Sequence, residues 1–390
     1  MDRQVGKVVI WGVTHLGKYL ADNIVHNRKK WKPLAFVDSD PELCNTCMNN
    51  IPVVSASVLR TMENSREITV LLAVRSAKNI FQILEQLDSL PVGNIGIVKH
   101  EVLLSGTCID PWSLDEEIVW YVFGQKIDRI VPYIEVNLTD ACDLKCKGCT
   151  HFSSLYEESS IYPLYDYEKD LQKLRNVGQI FRLRLLGGEP FLIKNLHEYI
   201  RITREIFPES MIEIVTNGLL VKKVNQEIMT TIRDYDICIS VSLYPPTCKI
   251  KKEIEDHMRA YGILYYFDTG NTEQEITMFY RNLTLQDTHD EEISNSVCLS
   301  ASCTFLRRGR IYKCPFDGLV NDFYRYYEVD GKYESGVDLA RNADYIYEKL
   351  KEYALRPIKL CRYCSEEPES IPWSVEAKPA LGDWLFHDGK

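Results

Sequence analysis

Three cysteines stand close together in the run Cys142-Asp-Leu-Lys-Cys146-Lys-Gly-Cys149. Thiolates are soft ligands, so such a triplet can take a zinc ion or wrap one iron–sulfur cubane. A 4Fe–4S cluster normally has four cysteine ligands. Three local ligands leave one iron with an open coordination position, which a catalytic metal site needs. A second group follows at Cys298, Cys303, Cys314, Cys361 and Cys364. There Gly309-Arg-Ile-Tyr-Lys-Cys314 reads as a hairpin that returns a cysteine to the group. Cys361-Arg-Tyr-Cys364 is a CxxC that can give two thiolates to one centre.

The elements that must position these residues are alternating strands and helices. Candidate strands are Tyr133–Leu138, Ile180–Leu186, Ile212–Val215, Ile237–Leu243 and Ile263–Phe267, with helical stretches Tyr167–Val177, Leu196–Ile206 and Lys251–Tyr261 between them. Such a βα series predicts a full or partial barrel over 131–290, with the triplet just after its first strand. The cysteine-dense, weakly periodic segment 291–390 reads as a small metal-dependent module with a tail, in which Trp373, Trp384 and Phe386 are expected to pack back on the body. Residues 1–105 form an earlier strand–helix alternation: Lys7–Trp11, Leu16–Val25, Leu34–Val37, Thr69–Val74, Ser76–Leu87 and Asn94–Val98. That pattern predicts a parallel, doubly wound sheet. A connector spans 106–130, where Ser113 and Glu116 resemble a capping box opening a helix to about Lys126.

On these residues the chain resembles the radical S-adenosylmethionine superfamily. CxxxCxxC follows the first strand, Gly187-Gly188-Glu189-Pro190 ends the second like the family's GGEP, Thr216-Asn217-Gly218 ends the third, and Ser240 and Ser242 share a face of the fourth. The resemblance implies a partial (β/α)6 barrel and a 4Fe–4S cluster on Cys142, Cys146 and Cys149. It also implies S-adenosyl-L-methionine held near Gly187, Gly188, Glu189, Pro190, Thr216, Asn217, Ser240 and Ser242, with the glycines admitting the methionine amine. In that family one electron cleaves the cofactor to a 5′-deoxyadenosyl radical. Gly148 departs from the pattern, since an aromatic residue often precedes the third cysteine there. The second group resembles the twitch and SPASM accessory domains. No cysteine follows Cys364, so the shorter twitch form with one auxiliary iron–sulfur cluster is the better match. Five cysteines for four places leave Cys303 as the spare, with a four-cysteine zinc ribbon as the alternative.

Trp11-Gly12-Val-Thr-His-Leu-Gly17, with Asp38 ending the next strand, resembles a Rossmann-like nucleotide or nucleotide-sugar half-domain lacking its third glycine. Gly12, Gly17 and Asp38 are its candidate binding residues; a tight helix–strand turn explains the glycines equally well.

The resemblances point to a carbohydrate or polyol substrate, nucleotide- or phosphate-linked in one version. The favoured reaction is oxidation of an alcohol to a ketone with the auxiliary cluster as electron acceptor, as in twitch dehydrogenases of aminocyclitol biosynthesis. The alternatives are a sugar epimerase with Cys248 as hydrogen donor, a peptide maturase, and a non-enzymatic iron–sulfur sensor. Arg184 and Asp268 are further catalytic candidates; Arg182 and Arg184 share a strand face that reads as the polar lumen. A flavodoxin or ferredoxin is the expected electron donor. The net charge of −10 in 390 residues argues against an electrostatic grip on nucleic acid. No apolar run is long enough to span a membrane, and the polar N-terminus is not a secretory signal. A cytoplasmic location follows, and with it thirteen cysteines that serve metal before disulfides.

Overall fold

The computed structural model describes residues 6–27, 31–62, 67–90, 92–98, 120–123, 129–156, 160–269, 275–376 and 378–386. Two compact units are present, Met1–Ile130 and Val131–Lys390.

The first unit is built on strands β1 (Gly6–Trp11), β2 (Trp31–Val37), β3 (Cys47–Met48), β4 (Ile51–Val54), β5 (Ile68–Leu72), β6 (Asn94–Val98) and β7 (Trp120–Phe123), in the order β3-β4-β2-β1-β5-β6-β7. The β1/β2, β1/β5, β2/β4 and β5/β6 pairs are parallel. Val8, Ile10, Phe36 and Leu71 pack against Leu16, Leu20 and Ile24 of helix His15–Asn27. Gly12 has φ +113°, and a side chain at Gly17 would overlap the Gly12 carbonyl. Both glycines therefore let this helix close on β1. Most of the helix expected from Ser113 lies outside the described residues, and its described part corrects the expectation: Trp120–Phe123 is β7, antiparallel to β6. The run Trp-Tyr-Val-Phe is aromatic and β-branched, which favours a strand.

The second unit carries β8 (Ile130–Thr139), β9 (Gln179–Gly187), β10 (Met211–Thr216), β11 (Cys238–Ser242) and β12 (Tyr265–Asp268). The intervening helices include Leu164–Arg175, Leu196–Ile206, Gln226–Asp234 and Lys251–Tyr261. β9 to β12 pair in parallel. The next strand, β13 (Met278–Leu283), does not extend this series; it pairs with β17 (Cys364–Pro372) in a sheet of its own. The sheet grows instead on the other side of β8, through β14 (Phe305–Arg307), β15 (Arg310–Tyr312) and β16 (Val337–Asp338), giving the order β12-β11-β10-β9-β8-β14-β15-β16. Arg308 and Gly309 turn the β14–β15 hairpin with φ of +47° and +74°, as a tight hairpin turn requires. Among the described residues no helix is long and apolar enough to cross a membrane.

Nearly all of β8 is buried, polar residues included: Glu135, Asn137 and Thr139 are 6%, 5% and 0% exposed. Alternate residues of a strand share a face, so these three stand in line with Tyr133. The end of the strand is clamped by Arg307 of β14. Its guanidinium donates to both oxygens of Asp140, at 3.1 and 2.9 Å, and to Asp322 at 2.9 Å. Asp140 also accepts from the Asn137 amide at 2.8 Å. Removing one partner of a buried pair leaves a bare charge. We expect Arg307→Met to lower unfolding free energy by about 3–5 kcal/mol in urea titrations, with exposed Arg325→Met near neutral as the comparison.

Candidate radical centre and second cysteine group

The triplet loop leaves β8 at Thr139 and is gripped at its base by the turn that ends β9. Gly188 N–H donates to the Thr139 carbonyl and Glu189 N–H to the Ala141 carbonyl, both at 2.8 Å. A side chain at Gly187 would overlap Thr139, and one at Gly188 would overlap Ala141. The close approach seen here is to the chain's own backbone beneath Cys142.

Glu189 is fully buried. It accepts from Phe191 N–H (3.1 Å), the Thr216 hydroxyl (2.8 Å) and Asn217 N–H (2.9 Å). It therefore ties the end of β9 to the end of β10. Burial raises its carboxyl to about 7, against the lowering effect of those hydrogen bonds. Pro190 opens the short turn that follows. Asn217 reaches back to Asp143 at 2.6 Å, and its own carbonyl accepts from the Thr247 hydroxyl at 2.6 Å.

Burial pushes the thiols of Cys142 and Cys149 above their ordinary range, and that of Cys146 to about 12. Neighbouring negative charge adds to this, from Glu189 at Cys142 and from Cys149 at Cys146. All three cysteines act electrostatically on the half-buried Tyr244, which places that ring beside the triplet. Asp268 acts on Tyr244 as well. It is paired with Ser242 across β11 and β12.

The second group gathers in the same unit. Cys314 and Cys364 are both raised by burial, with Cys298 among the charges acting on each. Cys361 and Cys298 also act on one another's neighbourhood, since both oppose the burial that lowers the Lys313 ammonium. Lys313 is 2% exposed and donates to the carbonyls of Ala301 (2.8 Å), Tyr353 (2.5 Å) and Arg356 (2.9 Å). A buried cation thus stands among the thiols. Cys303 shares this neighbourhood, since Cys298 acts on it and it acts on Lys313, but its sulfur also lies 4.0 Å from Glu135 Oε1 and Arg184 lowers its otherwise raised thiol.

The lumen face holds a polar network. Glu213, 0% exposed, takes ion pairs from Arg182 (2.8 Å) and Arg184 (3.2 Å). Arg182 donates to the Tyr266 hydroxyl. Arg184 donates to Tyr133 (3.3 Å) and to Ser240 (3.2 Å). Tyr133 donates to Glu135 Oε1 at 2.5 Å. Four buried atoms here, Glu135 Oε2, His151 Nε2, Arg184 Nε and Glu213 Oε1, have no hydrogen-bond partner among the described residues, though Arg184 Nε keeps its ion pair to Glu213. Glu213 is a residue the sequence reading missed, although one charge in the apolar run Met-Ile-Glu-Ile-Val was the signal, because a buried carboxylate must be paired. Cys248 is not in this network; Glu275 is its hydrogen-bond partner. In the first unit both oxygens of Asp38 are taken by backbone, Oδ2 by Val13 N–H (2.8 Å) and Oδ1 by Asp40 N–H (3.1 Å). A cleft of ≈ 490 Å³ opens there, lined by Trp11, Asp38, Asn45, Ser55 and Ser57 among others.

The profile described as the Radical SAM superfamily matches residues 136–265. This stretch of the chain is a radical SAM domain. It holds the triplet, the GGEP turn and the Thr216-Asn217-Gly218 loop. Two curated relatives are GTP 3′,8-cyclases. That of Helicobacter pylori (strain HPAG1) is 29% identical over 105 residues, 26% of this chain and 32% of the relative. That of Alkaliphilus metalliredigens (strain QYMF) is 29% identical over 104 residues, 24% of this chain and 30% of the relative. The chain thus spans about a third of the length of the relatives it matches. Among solved structures, BtrN in complex with AdoMet and 2-DOIA is 15% identical with a TM-score of 0.36, over 61% of this chain and 94% of that one. UDP-D-quinovosamine 4-dehydrogenase from Vibrio fischeri is 32% identical with a TM-score of 0.23, over 26% of this chain and 84% of that one.

The donor set fits the cluster this family implies. Among the described residues no three His, Cys, Asp or Glu side chains converge as ligands of a single metal ion. A cubane takes one thiolate on each of several irons, and Cys142, Cys146 and Cys149 supply three.

A pH dependence follows from Glu189. Its folded carboxyl is raised to about 7, so between its ordinary value and about 7 the folded state keeps a proton that the unfolded state has lost. This contribution is fully present at low pH and is lost as pH rises through that window. In the metal-free chain, unfolding free energy of wild type minus that of Glu189→Gln should fall as pH rises from about 4.5 to about 7. Urea titrations at a series of pH values measure the difference.

Proposed function

We propose that the chain is a radical S-adenosylmethionine oxidoreductase that converts an alcohol of a carbohydrate or polyol to a ketone. The cluster on Cys142, Cys146 and Cys149, with its bound cofactor, would supply the 5′-deoxyadenosyl radical that takes a hydrogen atom from a substrate C–H bond. A second cluster on Cys298, Cys314, Cys361 and Cys364 would supply the electron acceptor. The observation that carries this reading is the gathering of those four cysteines beside the β14–β15 hairpin, in the same sheet as β8.

The chain's own residues complete the reaction. Glu135 Oε2 is buried and without a partner, and we assign it the proton of the substrate hydroxyl. Tyr133 and Arg184 hold that carboxylate's surroundings in place, and Arg182 and Glu213 fix Arg184 in turn. A flavodoxin or ferredoxin is the proposed electron donor. A nucleotide or phosphate group is assigned to the first unit's cleft, where Asn45 and Ser57 line the wall and Asp38 is engaged by backbone.

One observation favours a second reading. Cys303 stands 4.0 Å from Glu135, a better position for a hydrogen-atom donor than that of Cys248 beside Glu275. An epimerase would use that thiol.

With dithionite and S-adenosylmethionine alone, wild type should form 5′-deoxyadenosine and Cys142→Ala should form none. Cys361→Ala/Cys364→Ala should still form 5′-deoxyadenosine yet give no ketone with a panel of inositols and UDP-hexoses, as read by hydrazine trapping. Solvent deuterium appearing at a product carbon in D₂O, lost in Cys303→Ser, would replace the dehydrogenase with the epimerase.

A further inference from the structure

The cysteine triplet loop is covered, residue by residue, by the chain's C-terminal tail. The β13/β17 ladder ends at the Met278–Pro372 pair, and Trp373 N–H continues it by donating to the Thr277 carbonyl at 2.7 Å. From there the tail runs along the loop. Glu376 N–H donates to the Lys145 carbonyl (2.8 Å), and Lys147 N–H donates to the Ser374 carbonyl (2.9 Å). The Lys147 ammonium pairs with Asp383 (3.3 Å) and Glu376 (3.5 Å). The Trp384 indole N–H donates to the Cys149 carbonyl at 2.9 Å, and Trp384 itself is 2% exposed in the core. Gly148, at φ +68°, lies under Ile371 and the Asp383 carbonyl, where a side chain would crowd them. This is a physical reason for a glycine at that place.

One contact reaches the sulfur itself. The Trp373 indole N–H points at Cys146 Sγ at 3.3 Å. The ring is fixed by stacking on Tyr244, with centroids 5.6 Å apart and planes 18° from parallel. A hydrogen bond to a ligating sulfur draws off negative charge and favours the more negative, reduced state of the cluster, which raises its reduction potential.

We propose that the tail Trp373–Trp384 is a positioning element of the radical centre, and that Trp373 tunes the cluster through the Cys146 sulfur. This rests on the reading of Cys142, Cys146 and Cys149 as cluster ligands. Trp373 is a positioning residue, since it touches a ligand and not the reacting atoms. Trp373→Phe deletes the donor and keeps a ring to stack on Tyr244.

The test is an EPR-monitored redox titration of the anaerobically reconstituted full chain. The triplet's cluster is assigned as the signal that changes when S-adenosylmethionine is added. Trp373→Phe should move that midpoint to lower potential while the other cluster's midpoint stays in place. Selective loss of the triplet's iron from a folded Trp373→Phe variant would also support the clamp. A loaded variant with an unchanged midpoint overturns the proposal and leaves the radical-centre reading standing. No iron on the triplet of wild type overturns both. Pulsed EPR of wild type carrying ¹⁵N-indole tryptophan gives a reading that needs no variant: a ¹⁵N coupling at the triplet's cluster is expected, and its absence overturns the proposal.

Discussion

Sulfur drawn partly out of water is the constraint on which this structure depends. Both cysteine groups are set where burial disfavours the thiolate. A bare charge in such a place is costly, and a metal that binds thiolates reverses the preference outright. The protein's part is to hold sulfurs close in an environment that only a cation makes comfortable. Lys313 supplies one such charge from within the chain, anchored by three carbonyls among the second group.

One strand serves both groups. The top of β8 runs into the triplet loop, and its free edge pairs with β14, which sets Phe305 opposite Glu135. The segments carrying Cys303 and Cys314 flank that hairpin. Arg307 locks it to Asp140, one residue past the strand. The tail closes the arrangement from the other side, since β17 starts at Cys364 of the second group and leads to Trp373 at Cys146 of the first. The position of each group is thereby coupled to the other through backbone, with Glu135, Arg184 and Cys303 in the interval.

Much of the site was legible because metal-binding chemistry is local in sequence. CxxxCxxC, GGEP and the later CxxC each lie within a few residues, and the order of the strands sets the first two at neighbouring strand ends. What was hidden depends on partners far along the chain. Glu213 gains its meaning only from Arg182 and Arg184 on the neighbouring strand. Trp373 lies 227 positions from Cys146. The packing of Gly187 and Gly188 against Thr139 and Ala141 was hidden too, because a glycine signals close approach without saying to what. Trp120–Phe123 is a strand because its own aromatic and β-branched residues favour one, a preference that a capping pattern at Ser113 does not override.

The most direct test is Mössbauer and EPR spectroscopy of the ⁵⁷Fe-reconstituted chain, with and without S-adenosylmethionine. The account predicts about eight irons in two cubane clusters. One cluster should respond to the cofactor and be absent from Cys142→Ala/Cys146→Ala/Cys149→Ala, and the other should be indifferent to both. Zinc in place of iron, or a cofactor response that survives loss of the three cysteines, would contradict it.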